Sequence, residues 1–355
     1  MKKIIILVLF TFSMFGCTDY KELNTLSYIT GMGFDYIDDM YIVTYEVMDN
    51  KKDAQSVVTN TYIITGTGKT TYEAHLDAAS KLNKTAYYLH SQVIILTDNI
   101  VDDKLFDIVD AIIRNPKLNE ESLLVITNDN TPEEIFNSTT EAWPSASFYI
   151  YNLIMDNDYS QNYFIKMPFA VFTEKLNTQN VDPVVSVIKT EDNKIVLDGA
   201  LTFKLDNKSG VITKEESNLY NTFEDENNTI PFVVKHEDET IEVATKVAFS
   251  SFSVTNNKIS IELEILSEIK KSNTNINLFD DSIYEEIASK ISLEFEELLT
   301  TFIKDLQDYE SDIFGFANYY YINSREVDED IWIDNEIEIN ITSTISRKGI
   351  IYNVG

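Results

Sequence analysis

Three stretches of this chain hold residues of types and spacings that can do chemistry. Gly66-Thr67-Gly68-Lys69-Thr70 contains the Gly-Lys-Thr with which a phosphate-binding loop cradles a nucleotide. That loop needs a further Gly five positions before Gly68, and residue 63 is Ile, so the Gly pair suits a turn between a strand and a helix starting near Thr71. Asp156, Asp158 and Ser160 have the alternate-residue spacing of a calcium loop, but Gln161 stands where its turn needs Gly and Met167 where its bidentate Glu belongs. His75, His90 and His236 lie far apart without ligand spacing, and carboxylate pairs are unavoidable among 59 Asp and Glu. No Gly-x-Ser-x-Gly elbow is present. We therefore expect no catalytic residue, no metal site and no cofactor. What remains is the single thiol, Cys17.

Cys17 closes a leader. Lys2 and Lys3 form a short positive segment, Ile4 to Phe15 is mostly apolar, and Gly16 precedes the Cys. Twelve residues of helix rise about 18 Å, too little for a hydrocarbon core about 30 Å thick, and no other run approaches eighteen apolar residues. A small residue before the Cys at the end of an apolar run resembles the lipobox of bacterial lipoproteins, in which the thiol receives a diacylglyceryl group and becomes the mature N-terminus. Met14 stands where Leu is usual there, and Phe15 where a smaller residue is usual. The alternatives are an ordinary signal peptide that contains a Cys, or a buried free thiol. Two acyl chains anchor stably where one binds reversibly, at ~0.8 kcal/mol per buried CH₂. The expected organisation is a signal peptide over 1–16, and a lipidated Cys with its tether over 17–28.

Composition narrows the rest. The 355 residues carry 28 Lys and Arg against 59 Asp and Glu, a net charge of −31, which opposes binding to phosphate backbones and excludes nucleic acid as a partner. A lone Cys cannot form an internal disulfide or a multi-Cys metal site. With 44% hydrophobic and 12% aromatic residues, the chain has the material for buried cores rather than disorder.

The elements that would carry any site follow from periodicity. Tyr41 to Val47 and Thr61 to Thr65 read as strands, and VIIL at 93–96 and LLVI at 123–126 read as strands covered on both faces. Thr71 to Leu82 reads as a helix. Leu105, Ile108, Val109, Ile112 and Ile113 give an amphipathic helix over 102–114, and Thr131-Pro132-Glu133-Glu134 is a capping-box helix start. This rhythm predicts an N-terminal α/β domain over 29–190 with a mixed sheet and helices. The polar stretch 189–194 is taken as the boundary. Beyond it, Ile259, Ile261, Leu263 and Ile265, and then Ile337, Ile339 and Ile341, alternate with polar residues, as in sheets with one wet face. Ile283, Ile287, Ile291, Phe295, Leu298, Phe302 and Leu306 mark one long helix over 280–308. The C-terminal domain, 191–355, is thus expected to be α+β, mostly antiparallel and packed by that helix.

An ordered set of short motifs resembles one family along nearly the whole mature chain. After the lipobox come Asp19-Tyr20-Lys21-Glu22-Leu23-Asn24 and Ile29-Thr30-Gly31-Met32-Gly33-Phe34-Asp35. Then follow His90-Ser91-Gln92-Val93, Arg114-Asn115-Pro116, Asp182-Pro183-Val184, Asp198-Gly199-Ala200, Asp312-Ile313-Phe314-Gly315-Phe316 and Ser346-Arg347-Lys348-Gly349. Together they resemble the Ger(x)C family, the C subunits of GerA-type nutrient germinant receptors of endospore-forming bacteria. Thr18 stands where that family usually has Trp.

The resemblance implies a non-enzymatic, multi-domain lipoprotein on the outer face of the spore inner membrane. Its partners would be an A-type and a B-type receptor membrane subunit, and its role assembly or signal relay rather than primary nutrient recognition. A solute-binding lipoprotein of a transport system is the alternative. Among the motif residues, Gly31 and Gly33 suit a close backbone approach or a positive φ, and His90 suits a core or edge position. The 312–316 segment is expected to end the long helix, with Gly315 permitting the turn and Phe314 and Phe316 entering the core, or to serve as an interface.

Overall fold

The computed structural model describes residues 25–52, 57–115, 117–138, 144–155, 163–178, 181–236, 239–272 and 281–346. The leader, Cys17, the calcium-like 156–160 stretch and the 347–349 end of the last motif lie outside the described residues.

The first sheet is seeded by a hairpin of β1 (Leu26–Ile37) and β2 (Met40–Lys52), joined by Asp38-Asp39 with both φ positive, the two-residue turn that matches strand twist. β3 (Val57–Gly68) pairs antiparallel with β2 and runs into α1 (Thr71–Ser80), whose cap is Thr70 accepting from the Glu73 N–H. Gly66 and Gly68 are therefore strand residues rather than a turn. A Cβ on Gly66 would collide with the backbone of Ala74 and Ala78, so both glycines let α1 lie directly on β3.

Short β4 (Thr85–Tyr87) and central β5 (Val93–Thr97) follow, both parallel to β1. The amphipathic segment is two helices, α2 (Asp98–Asp103) and α3 (Leu105–Ile113), broken at Lys104. Leu105, Ile108, Val109 and Ile112 are buried, while Ile113 is 47% exposed. Next come β6 (Leu123–Thr127), α4 (Pro132–Asn137) with the expected capping box, α5 (Ala146–Met155) and α6 (Phe169–Asn177).

The polar 189–194 stretch is a hairpin turn inside the first sheet. β7 (Val184–Glu191) and β8 (Lys194–Lys204) are joined by Asp192-Asn193, again with both φ positive, and β9 (Asn207–Ile212) pairs with β8. Asp and Asn tolerate the left-handed conformation, so polarity here marks a tight turn. Hydrogen bonding in this sheet consequently continues to Ile212. Its order is β3-β2-β1-β5-β6-β7-β8-β9, with β4 beside β1, and it mixes parallel and antiparallel pairs as expected. Period-two alternation sends Ile94 and Leu96 of β5 into a core with α1, α2, α3 and α6, and Val93 and Ile95 into a core with α4 and α5 on the other face.

Then α7 (Lys214–Glu224), which the pattern reading did not anticipate, leads to a second sheet. Its strands are antiparallel β10 (Ile230–His236), β11 (Glu239–Val254) and β12 (Lys258–Ser272) and, after long α8 (Asp281–Tyr309) and α9 (Phe316–Ser324), β13 (Glu336–Ser346), which returns parallel to β12. The Ile259-Ile261-Leu263-Ile265 face is buried against Ile287, Ile291, Phe295, Leu299, Phe302 and Leu306 of α8. Leu298 is 41% exposed; Leu299 and Ile303 take the core positions, because steps of three and four allow either neighbour. The architecture is α/β followed by α+β, with mixed sheets in both.

Candidate functional site

Gly31 and Gly33 lie on β1 where two helices come down onto it. A Cβ at Gly31 would collide with Ser147 Oγ and come within 2.8 Å of Phe136 Cε1, and one at Gly33 would collide with the Pro132 ring. Of the two readings of these glycines, close approach applies, since neither has a positive φ. The room they leave lets the N-terminus of α5 reach Glu46, which faces Gly31 across the β1–β2 ladder. Glu46 is fully buried and accepts from Thr30 Oγ1 (2.8 Å), Ser145 Oγ (2.7 Å), and the Ala146 (2.7 Å) and Ser147 (3.2 Å) N–H groups. A carboxylate therefore caps a helix about a hundred residues later, which satisfies its orphan donors and complements its dipole. Asp35, the last residue of the glycine motif, is buried too. It accepts from Thr97 Oγ1 at 2.6 Å and Asn99 Nδ2 at 3.2 Å, tying β1 to the β5–α2 junction.

The 312–316 motif sits where the two sheets meet. α8 ends at Tyr309, and Glu310 turns through a positive φ. Gly315, with φ of 75°, does not end α8 but opens α9. The buried Asp312 carboxylate accepts from the first N–H groups of α9, those of Phe316 (2.7 Å) and Ala317 (2.8 Å). Burial pushes the Asp312 carboxyl up to about 7, against the pull of those N–H groups, and neighbouring Asp182 adds to the rise. Asp182, ahead of β7, is raised by burial as well. The Lys175 ammonium on α6 is lowered by burial, with Glu224, Asp312 and Asp182 among its charged neighbours.

Further ties cross this seam. Ser311 Oγ donates to the Phe203 carbonyl at 2.6 Å, and Lys204 Nζ donates to Glu310 (2.7 Å) and Asp330 (2.8 Å). The Tyr309 ring occupies the space a Gly210 side chain would need. Phe314 is the hub of an aromatic cluster, with ring centroids 5.3 to 6.0 Å from Tyr220, Phe223, Phe252, Phe302 and Phe316, and Phe316 in turn meets Trp332. Both Phe side chains thus engage the second core. His90 is exposed and lies against the rings of Tyr28 and Tyr87 at the β4 edge.

Sequence reasoning did not find the recess of about 1000 Å³ between α1 and α3, floored by β1 and β2. Met32, Phe34, Tyr41, Tyr88 and His75 form its walls. His75 Nδ1 meets the Tyr45 hydroxyl and its Nε2 lies 3.3 Å from the Tyr88 hydroxyl. Burial and then Lys117 hold the His75 ring below the ordinary histidine range. Among the described residues, no group of three or more His, Cys, Asp or Glu is arranged to hold a metal ion, and no helix is long and apolar enough to cross a membrane.

The two family domains found by comparison with known proteins divide the chain near the β7–β8 turn, within the first sheet. Residues 19–190 match the spore germination protein N-terminal domain, and residues 198–349 match the spore germination B3/GerAC-like C-terminal domain. Spore germination protein A3 of Bacillus subtilis is 28% identical over 212 residues, 57% of this chain and 55% of that one. Spore germination protein B3 of the same organism is 25% identical over 191 residues, 52% of this chain and 50% of that one. The chain thus spans about half the length of these two relatives. The crystal structure of the GerBC protein superposes with a TM-score of 0.57 at 15% identity, over 92% of this chain and 99% of that one, which establishes a shared fold.

Proposed function

The chain belongs to the Ger(x)C, or GerAC-like, family of spore germination proteins, and from that premise we propose that it is a lipid-anchored, non-catalytic subunit of a germinant receptor, acting in receptor assembly and signal relay. The observation that carries the proposal is the pair of family domains in the right order, covering 19–190 and 198–349 behind a leader that ends at Cys17. Diacylglyceryl modification of Cys17 would hold the protein on the outer face of the spore inner membrane, with residues 17–28 as the tether. An A-type and a B-type membrane subunit are its partners in this reading.

Gly31 and Gly33 then serve to seat two helices on β1, and Asp312 to Phe316 to join the two sheets. These are positioning roles inside the fold. Affinity capture of the full chain from dormant spores tests the proposal. Co-recovery of the A-type and B-type subunits supports it, whereas recovery of a transporter permease in their place overturns it.

A further inference from the structure

The recess between α1 and α3 has a charge balance opposite to that of the rest of the molecule. Acids outnumber Lys and Arg about twofold in the chain, yet the recess is lined by four cations, Lys69, Lys84, Arg114 and Lys117, against two acids, Asp107 and Asp110. Both acids are already engaged. Asp110 accepts from Arg114 Nε at 2.7 Å, and Asp107 accepts from the Tyr41 hydroxyl. Among the described residues, neither the Lys69 nor the Lys117 ammonium has an acidic side chain within ion-pair distance, and Lys117 is close enough to the ring of His75 to disfavour its protonation. The Lys69 and Lys117 ammonium groups therefore stand beside a wall of aromatic side chains and Met32. The volume lies at the upper end of the range for small-molecule sites.

We infer that this recess binds a small planar organic anion, its ring against Tyr72, Tyr88 and His75 and its carboxylate, sulfonate or phosphate toward Lys69 and Lys117. Flat apolar bodies suit the ring-lined wall, where Tyr72 and Leu76 are 68% and 48% exposed. An anionic head makes charge-assisted hydrogen bonds to the two ammonium groups. Bound there, it would also face His75 and relieve the effect of Lys117 on that ring. The inference goes beyond the receptor assignment and does not depend on the membrane anchor.

The test uses the full chain carrying Cys17→Ala, with 1-anilinonaphthalene-8-sulfonate as the planar anion and uncharged N-phenyl-1-naphthylamine as its control. The expected result is saturable binding of the sulfonate at one site of the folded protein. A Lys69→Met/Lys117→Met variant should bind it about tenfold more weakly and the uncharged amine equally well. Both lysines are exposed, so the fold is expected to tolerate the change. A histidine titration followed by NMR adds an independent readout: the sulfonate should raise the pKa of His75 and leave His90 and His236 unmoved. Equal affinity of the variant and the parent for the sulfonate, an unmoved His75, or no saturable binding overturns the inference.

Discussion

Asp182 and Asp312, 130 residues apart, clasp each other's backbone: the Asp182 N–H donates to the Asp312 carbonyl at 2.9 Å, and the Asp312 N–H donates to Asp182 Oδ2 at 2.8 Å. The other Asp182 oxygen accepts from the Leu205 N–H at 3.1 Å, so one side chain fixes both the β8–β9 turn and the segment leading into α9. This clasp is the point at which the first sheet meets the second.

Stability is expected to fall with rising pH through this clasp. Folding raises the Asp312 pKa to about 7, so the folded chain binds more protons than the unfolded chain from about pH 4, the ordinary Asp value, to about pH 7. The Asp312 contribution is present in full below that window and lost as pH rises through it, with a slope approaching about 1.4 kcal/mol per pH unit. Asp182 is raised as well and acts in the same direction. Urea unfolding at a series of pH values should show the decline, flattened in Asp312→Asn; an unchanged slope in that variant counts against it.

Removing the buried cap of α5 should be costly. Glu46→Ala leaves the Ser145 hydroxyl and the Ala146 and Ser147 N–H groups without this acceptor, while Thr30 Oγ1 keeps the residue-46 carbonyl at 3.2 Å, and a single orphaned donor costs about 1–3 kcal/mol. A loss of about 3 kcal/mol or more in urea unfolding is expected, with Glu46→Gln milder because one oxygen remains.

Gly33→Ala drives a methyl group into the Pro132 ring, a backbone-anchored neighbour that cannot swing aside. Overpacking of this kind costs about 1–3 kcal/mol. Differential scanning calorimetry should therefore show a lower Tm, and a variant as stable as the parent would remove the close-approach account of this glycine.

Cys17→Ala should release the protein from membranes. At a net charge of −31, the chain is repelled by an anionic lipid surface within a Debye length of about 8 Å, so once the apolar leader is removed little besides acyl chains would hold it there. Fractionation in a host lacking the partner subunits should move the variant to the aqueous phase; persistence in the membrane pellet contradicts the lipid tether.

Much of the fold was readable from the chain because hydrophobic burial writes a local period. VIIL and LLVI, the alternation through Ile259–Ile265 and the steps along α8 are all of this kind. What escaped depended on distant partners. The sequence of α5, rich in Phe, Tyr and Ile, carries little helical preference of its own, and its cap is a carboxylate on β2. Opening α9 requires a left-handed Gly315 and the Asp312 side chain, so the same residues read as the end of the preceding helix. The Asp182–Asp312 clasp has no local signature at all. Composition at 189–194 announces a polar connection without showing that it is a tight Asp-Asn hairpin turn across which the sheet continues, which takes positive φ at two successive residues. The recess was hidden for a related reason, since its cations come from separate segments that the packing of α1 beside α3 brings together.

The parallel return of β13 has a kinetic corollary. Glu262 and Asn340, hydrogen-bonded across the β12–β13 pair, are 78 positions apart, and both α8 and α9 lie between them. Closing so long a loop is paid in chain entropy before any ladder contact repays it. The arrival of β13 is thus the natural late event of refolding, and until it docks, β12 shows a bare rim along which a second unfinished molecule could zip.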